Sequence, residues 1–198
     1  MGLRLFGSQG SRSPLVSWYL NEIDKEFVVV NPREERNPHP FGSVPCLVDD
    51  DLIVFESGAI LQYLADKYGG VSTPEQRARV GVWTVWANAS LDPILFKENE
   101  RGQVIGTGAG EENRKLRMLD AQLEGKSYLL GEEFSVADVA VASYLLYIPQ
   151  FFGPKANLGR YQNLARYMVR CASRPAYRRA YPDETDGILA VCAGYKPV

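Results

Sequence analysis

The first thirty residues carry a strand–helix–strand pattern. Residues 3–6 (LRLF) alternate and end at a glycine, which predicts a short strand. Ser13 and Pro14 are a typical helix start, with Ser13 as the predicted N-cap and Pro14 at the first helical position. Residues 26–30 (EFVVV) form a second predicted strand. Because two strands joined through a helix run parallel, the pattern predicts a βαβ unit.

A hairpin and another helix follow this unit. Pro45–Val48 and Leu52–Phe55 flank three consecutive aspartates, which predicts two antiparallel strands and a tight turn. A helix is predicted from Glu56 to the glycine pair at 69–70, since apolar residues recur there at helical spacing. The order βαβ–ββα over about seventy residues is typical of a thioredoxin-like domain.

Beyond Thr73 the apolar residues recur at helical spacing only. The predicted segments are a long helix kinked at Asp92-Pro93, a flexible connection over 102–110, a helix over 111–124, and helices starting at Ser135 and near Gln162. We therefore expect an α+β thioredoxin-like domain over residues 1–70, a linker over 71–75 and an all-helical domain over 76–198.

Charge and hydropathy exclude several classes of protein. The chain has 22 basic and 24 acidic residues, a net charge of -2, so it lacks the basic surface that binds nucleic acid or an anionic membrane. No run of apolar residues is long enough to span a bilayer. Residues 1–12 lack the apolar segment of a signal peptide, which predicts a cytoplasmic protein.

The sequence contains few cysteine and histidine residues that could bind a metal or act as nucleophiles. Cys46, Cys171 and Cys192 are far apart and form no CxxC pair, and His39 is the single histidine. The sequence therefore predicts neither a metal site nor a Ser-His-Asp triad. If the protein is an enzyme, its chemistry must come largely from a bound cosubstrate.

Two short segments predict a binding site for a peptide-like molecule. If the bond before Pro45 is cis, the main-chain N–H and C=O of Val44 are free to pair with a peptide. Glu56 and Ser57 stand where a strand gives way to a helix, so free N–H groups can bind a carboxylate and Glu56 can receive an ammonium group. The alternative is a plain hairpin in which Ser57 only caps the helix.

Three segments carry a resemblance to a known family. Residues 43–69 (SVPCLVDDDLIVFESGAILQYLADKYG) resemble the glutathione-binding half of the cytosolic glutathione transferases. Residues 134–138 (FSVAD) match the helix-capping segment of that family's second domain, and 164–181 resemble its late helices. Residues 11–22 (SRSPLVSWYLNE) look most like the cyanobacterial-type (chi) class and more distantly like the phi class.

The resemblance implies glutathione as cosubstrate, with no metal. It implies that Val44 pairs with the cysteinyl backbone of glutathione, that Pro45 is cis, and that Glu56 and Ser57 hold the γ-glutamyl end. Ser13 and Ser43 complete the expected glutathione site.

In many members of the family a Tyr, Ser or Cys near the first helix stabilises the thiolate. Residues 1–18 contain no tyrosine and no cysteine, so serine remains. We expect Ser11 to stabilise the thiolate and Arg12 to add positive potential. The alternative is that Ser8, Ser11 and Ser13 are ordinary turn and cap residues.

The remaining candidates are less specific. Trp83, Trp86 and Phe96 are expected to wall the electrophile pocket, or else to belong to the core. The segment 31–43 is short for this family, and its Arg33, Arg36 or His39 is either a ligand of the glycyl carboxylate or a solvated loop residue.

The sequence thus predicts a cytoplasmic, homodimeric glutathione transferase. Its expected partners are glutathione and a small hydrophobic electrophile, such as an isothiocyanate or an aryl halide, or a peroxide. The alternative is a non-catalytic module of the same fold that binds a ligand or assembles with other proteins.

Overall fold

The computed structural model describes residues 2–195. Met1 and residues 196–198, the outer ends of the two predicted domains, lie outside the described residues. The first part of the chain forms a four-stranded sheet in the order β2-β1-β3-β4. Its strands are β1 (Leu3–Phe6), β2 (Phe27–Val30), β3 (Cys46–Asp49) and β4 (Leu52–Phe55). β1 and β2 are parallel and the other two pairs antiparallel, so the predicted βαβ–ββα order is confirmed.

Two helices pack on this sheet, α1 (Ser13–Glu22) and α2 (Ser57–Lys67). α1 buries Leu15, Val16, Trp18 and Leu20, and α2 buries Ile60, Leu61 and Leu64, in one core with Leu5 and Leu47 of the sheet. Each fully buried apolar side chain of this size stabilises the fold by roughly 1.5–3 kcal/mol. The apolar stripes of the two helices therefore fix their position on the sheet, and with it the position of their first turns.

The start of α1 differs from the prediction. Ser13 is the first helical residue and Arg12 the N-cap, so the prediction of Ser13 as N-cap is wrong. The backbone N–H of Ser13 donates to Ser11 Oγ at 3.1 Å. The first N–H groups of a helix have no partner within it, and Ser11 supplies an acceptor for that of Ser13, while Pro14 has no N–H to satisfy.

The rest of the described chain is mainly helical. Its helices are α3 (Pro74–Trp86), α4 (Asp92–Leu95), α5 (Arg114–Gln122), α6 (Val136–Phe152), α7 (Gln162–Ala172), α8 (Pro175–Ala180) and α9 (Thr185–Ala193). A π turn at Ala87–Leu91 separates α3 from α4, just before the predicted kink. The helix-capping segment expected over residues 134–138 is confirmed, because Ser135 and Asp138 form a capping box in which Ser135 N–H donates to Asp138 Oδ2 at 2.9 Å.

One hairpin interrupts these helices. Strands β5 (Lys97–Glu98) and β6 (Val104–Gly106) form a two-stranded antiparallel sheet within this otherwise helical part, so the flexible connection predicted over 102–110 is wrong. Asn99 Oδ1 accepts hydrogen bonds from the backbone N–H groups of Arg101 and Gln103, and Gly102 has a φ of +70°. An asparagine side chain and a left-handed glycine together close a tight turn.

The cysteines lie inside the fold. Cys46, Cys171 and Cys192 are buried free thiols, and Cys46 is fully buried, where it packs as a small apolar residue. Burial raises the pKa of the Cys46 thiol, as expected for a residue that packs. Within residues 2–195, no helix combines the length and the apolar composition needed to cross a membrane.

Candidate active site

Three chain segments meet at one edge of the sheet. Phe6 of β1 lies opposite Cys46 of β3, and Cys46 lies opposite Phe55 of β4, so these three residues form a row across the strands. The segments that adjoin this row are residues 7–12 after β1, Val44 and Pro45 before β3, and Glu56 and Ser57 at the end of β4. Sheet register therefore brings together residues that are up to fifty positions apart in the sequence.

The peptide bond between Val44 and Pro45 is cis, as predicted. Val44 is partly exposed, whereas Pro45 is buried. Among the hydrogen bonds within residues 2–195, none uses the main-chain N–H or C=O of Val44. Both groups are therefore available to a ligand that presents a peptide backbone. The neighbouring Ser43 is exposed, and its carbonyl accepts from Asn37 Nδ2 at 2.8 Å.

Glu56 has an unusual backbone conformation between β4 and α2. Its φ is +66°, in the left-handed region that favours glycine, and its side chain is exposed. A non-glycine residue in such a conformation costs on the order of 1–3 kcal/mol, and strain of this kind concentrates at functional sites. Glu56 precedes the first turn of α2, whose free N–H groups carry the positive end of the helix dipole.

A side-chain amide links Ser57 to the helical part of the chain. The Ser57 hydroxyl donates to Asn88 Oδ1 at 3.4 Å and the Tyr144 hydroxyl donates to the same oxygen at 2.7 Å. Asn88 Nδ2 donates to the carbonyl of Thr84 at 2.7 Å. Since a carbonyl can only accept, this last contact fixes the orientation of the amide and leaves its oxygen facing the two hydroxyls.

The hydroxyl of Ser11 already has protein partners. Ser11 Oγ lies 2.7 Å from the carbonyl of Ser8 and 2.8 Å from Ser13 Oγ. Ser11 is partly exposed, whereas Ser13 is buried. The Ser11 proton therefore goes to one of these two oxygens, and a thiolate beside Ser11 would compete for it as a charged and stronger acceptor.

Arg12 forms an ion pair across the same region. Its Nη2 lies 2.8 Å from Asp92 Oδ1, and the centre of its guanidinium lies 5.1 Å from the centre of the Tyr144 ring. Burial raises the pKa of the Asp92 carboxyl, and the Arg12 guanidinium opposes that rise. Because Asp92 balances its charge, Arg12 supplies less positive potential to its surroundings than an unpaired arginine would.

A pocket of about 470 Å³ opens beside Ser11 and Arg12. Phe96, Tyr147 and Phe152 supply aromatic walls, with the Phe96 ring centre 6.2 Å from that of Phe152 and 6.4 Å from that of Tyr147. Its size lies within the roughly 300–1,000 Å³ range of small-molecule sites. A largely apolar cavity next to a hydroxyl at a helix start can hold a small hydrophobic molecule against a nucleophile.

Comparisons with known proteins match both parts of the chain. The glutathione S-transferase N-terminal domain family matches residues 1–66, and the glutathione S-transferase C-terminal domain family matches residues 87–175. Glutathione S-transferase GstB of Escherichia coli (strain K12) is 31% identical over 172 residues, which cover 79% of this chain and 77% of GstB. The chain belongs to the glutathione S-transferase family. This confirms the predicted family, whereas the chi-like or phi-like class stays a prediction.

Two further proteins are similar to this glutathione S-transferase family member. A glutathione S-transferase domain-containing protein of Dictyostelium discoideum is 31% identical over 179 residues, covering 82% of this chain but 66% of that protein, slightly under two thirds of its length. The crystal structure of a glutathione transferase from Burkholderia graminis, with two glutathione molecules bound per subunit, has a TM-score of 0.72 at 23% identity and covers 92% of this chain and 88% of its own. This likeness establishes the fold: a thioredoxin-like domain followed by a helical domain.

Two predicted pocket residues of this family member lie elsewhere. Trp83 and Trp86 contact each other on α3, with ring centres 5.8 Å apart, and both pack partly buried against the core. Neither lines the pocket beside Ser11, whereas Phe96 does. Aromatic residues at helical spacing more often pack in a core than line a site, and the two tryptophans follow that tendency.

The short segment before β3 holds a second difference. His39 is buried, its ring centre lies 4.8 Å from that of Phe55, and its Nδ1 accepts from Phe41 N–H at 3.0 Å. The interpretation of His39 as a solvated loop residue is therefore wrong, because its ring packs against β4. Arg33 and Arg36 are exposed, as that interpretation predicted.

Asn88, Asp92 and Tyr144 are neighbours of the site that sequence reasoning missed. Asn88 stands in an Asn-Ala-Ser triplet without a recognisable binding motif, and Asp92 draws attention only through the proline that follows it. The long-range contacts that give them a role, to Ser57 and Arg12, exist only in the folded chain.

Proposed function

We propose that this protein binds glutathione at the sheet edge and transfers its thiolate to small electrophiles such as isothiocyanates and aryl halides, or reduces peroxides with it. The observation that carries the proposal is the row formed by Phe6, Cys46 and Phe55. Three features lie next to this row. They are the main-chain N–H and C=O of Val44, which have no hydrogen-bond partner within residues 2–195, the strained acidic residue Glu56 before α2, and the Ser11 hydroxyl at the start of α1. A tripeptide with an amino-acid head and a thiol matches these three features.

The binding roles follow from the chemistry of each group. The free N–H and C=O of Val44, beside cis Pro45, would pair with the cysteinyl backbone of glutathione. The carboxylate of Glu56 would hold the γ-glutamyl ammonium, and the N–H groups that begin α2 at Ser57 would hold the γ-glutamyl carboxylate. We assign Ser13 and Ser43, at the margins of these segments, to the same site.

The proposed chemical role of Ser11 is to stabilise the thiolate. When glutathione binds, its hydroxyl would turn from the Ser8 carbonyl or the Ser13 hydroxyl to the sulfur. A hydrogen bond to an anion and the α1 dipole together need to lower the thiol pKa by about 2 units, roughly 2.7 kcal/mol, to make thiolate abundant at neutral pH. Arg12, held by Asp92, adds a smaller positive contribution.

The transfer step needs no further reactant for the two electrophile classes. With an isothiocyanate, the sulfur bonds to the central carbon, electrons move to nitrogen, and a proton from solvent completes the product. With an aryl halide, the carbon–sulfur bond forms and the halide leaves. The protein contributes proximity in the pocket lined by Phe96 and removal of water from the reacting atoms.

We also propose that the protein is a cytoplasmic homodimer whose domains are residues 1–70 and 76–198, joined by 71–75. Family membership supports these assignments. Size-exclusion chromatography with light scattering measures the mass in solution directly.

The experiment that tests the function combines turnover and retention. Glutathione conjugation is measured with a panel that includes an isothiocyanate and an aryl halide, alongside retention of the protein on glutathione-agarose. We expect both. Absence of both would overturn the proposal.

A non-catalytic glutathione-binding module is the second candidate, and one observation favours it. Ser11 is fully occupied by Ser8 and Ser13, so its hydroxyl already has the contacts of an ordinary turn serine. Retention on glutathione-agarose without turnover of any electrophile or peroxide would decide for this module.

A further inference from the structure

The pocket beside Ser11 carries an acidic side chain, Glu98, that has no ion-pair partner among the described residues. Arg12 and Glu98 both line the pocket. Arg12 is paired with Asp92 at 2.8 Å, so these two charges cancel. Among the ion pairs of residues 2–195 none includes Glu98, and its neighbour Lys97 is paired with Glu111 instead. The charged groups of the pocket and its Asp92 neighbour therefore sum to one negative charge.

The β5–β6 hairpin places this charge. Glu98 is paired with Val104 across the hairpin, and both residues line the pocket. The strand register is irregular between Lys97 and Glu98, and such an irregularity can turn a side chain toward a neighbouring site. The hairpin thus forms part of the pocket wall and brings one apolar and one acidic side chain to it.

The other walls favour a flat apolar molecule. Phe96, Tyr147, Phe151 and Phe152 line the same cavity of about 470 Å³. Aromatic side chains contact a planar ring through offset or tilted arrangements, like those seen between Phe96 and its two aromatic neighbours. A ring bound here would lie within the field of the Glu98 carboxylate.

We propose that Glu98 makes this pocket selective for uncharged or cationic aromatic electrophiles and against aromatic molecules that carry a carboxylate or sulfonate. The inference rests on the proposed function, since it names the substrate class of the same site. A negative group on the bound molecule is repelled by Glu98 and gains little from Arg12, whose charge Asp92 already balances. Glu98 is in this account a specificity-determining residue with no part in the chemistry.

Equilibrium binding tests the selectivity without any turnover. N-phenyl-1-naphthylamine and 8-anilino-1-naphthalenesulfonate share one ring system and differ by a sulfonate, and the fluorescence of both rises on binding. Glu98→Gln should tighten binding of the sulfonate about three- to tenfold and leave the neutral probe unchanged, because a nearby like charge in a partly exposed site has an effect of that order. Glu100→Gln, an exposed neighbour outside the pocket lining, should change neither.

A pocket variant confirms where the probes bind. Phe152→Ala removes one aromatic wall and should weaken the neutral probe several-fold. The inference is overturned if Glu98→Gln leaves sulfonate binding unchanged, if wild type prefers the sulfonate probe, or if Phe152→Ala has no effect.

Turnover separates this inference from the proposed function. The ratio of kcat/KM for an uncharged aryl halide to that for its carboxylated analogue should fall about three- to tenfold in Glu98→Gln. Turnover with an unchanged ratio would overturn the inference and leave the function standing. Probe selectivity that depends on Glu98, with no turnover of any substrate, would overturn the function and leave the pocket assignment standing.

Discussion

Arg12 Nη2 lies 2.8 Å from Asp92 Oδ1, and this ion pair joins the start of α1 to the start of α4. Asp92 is 18% exposed, so its carboxylate has lost much of its hydration. The Arg12 guanidinium therefore supplies much of the stabilisation of its negative charge. The pair therefore connects the sheet edge to the helical wall of the pocket.

Replacing this carboxylate should weaken the fold. Asp92→Asn leaves Arg12 half-buried with a neutral acceptor, and we expect the free energy of unfolding to fall by about 1–2 kcal/mol in urea denaturation. Glu112→Gln is the matched control, because its pair with Arg117 at 3.1 Å is exposed on both sides, and it should change stability by less than about 0.5 kcal/mol. Equal effects of the two substitutions would show that the Arg12 pair is as weak as a surface pair.

Two substitutions of Glu56 should distinguish its backbone strain from its role in ligand binding. Glu56→Gly and Glu56→Ala both remove the carboxylate, so both should lose retention on glutathione-agarose. Glycine adopts the φ of +66° without the cost that a Cβ atom brings, so Glu56→Gly should be more stable than Glu56→Ala by about 1 kcal/mol. Retention of either variant contradicts the ammonium-binding role, and equal stability contradicts the strain.

Gly7 leaves space for the first residue of α1. A Cβ at Gly7 would lie 2.2 Å from Ser13 Oγ, whereas one at Gly10 meets no atom within 4 Å. Gly7→Ala should therefore displace the start of α1 and destabilise the protein by about 1–3 kcal/mol, with loss of conjugation activity. Gly10→Ala is the control for stability and should stay within about 0.5 kcal/mol of wild type. Similar denaturation curves for both variants would contradict the close packing at Gly7.

Part of the pH dependence of the protein's stability in acid should come from Asp49. Its carboxylate accepts hydrogen bonds at 2.7 Å from three side chains, those of Tyr63, Lys67 and Tyr68. Burial alone would raise its pKa, but these contacts outweigh burial and lower the pKa to about 2. Because the folded pKa lies below the unfolded value near 3.9, the stabilisation, about 2 kcal/mol, is complete above about pH 5 and disappears as the pH falls toward 2.

Thermal unfolding as a function of pH measures this contribution. The stability difference between wild type and Asp49→Asn should be largest near neutral pH and shrink as the pH falls below about 5. Asp51→Asn, on the exposed turn beside it, should show a small difference that does not change in this way. A difference for Asp49→Asn that is constant with pH would contradict the assignment.

Local patterns in the sequence predicted the sheet, and the resemblance to the glutathione transferases implied its cis proline. Alternation in residues 3–6, the glycine pair at 69–70 and the Val44-Pro45 pair each act over a few neighbours, which is why they are legible without the fold. The β5–β6 hairpin escaped prediction because its strands are two and three residues long, and its turn depends on the side chain of Asn99.

The site was only partly predictable for a different reason. Ser11, Val44 and Glu56 stand in short motifs, whereas Asn88 contacts Ser57, and Tyr144 contacts Asn88, from segments more than thirty residues away. The burial of His39 likewise depends on Phe55, a partner on strand β4. Residues that make contacts between distant segments show no characteristic spacing in a single sequence. They therefore cannot be distinguished there from ordinary core or surface residues.

The central claim is that glutathione binds at the sheet edge with its thiol pKa lowered by Ser11. Its most direct test is a pH titration of the ultraviolet thiolate absorbance of bound glutathione, in wild type, in Ser11→Ala and in Ser8→Ala as the control from the same turn. We predict a thiol pKa about 2 units below that of free glutathione in wild type and Ser8→Ala, and a value about 1–2 units higher in Ser11→Ala with little change in glutathione affinity. A bound thiol that titrates like free glutathione in wild type, or identically in all three proteins, would contradict the account.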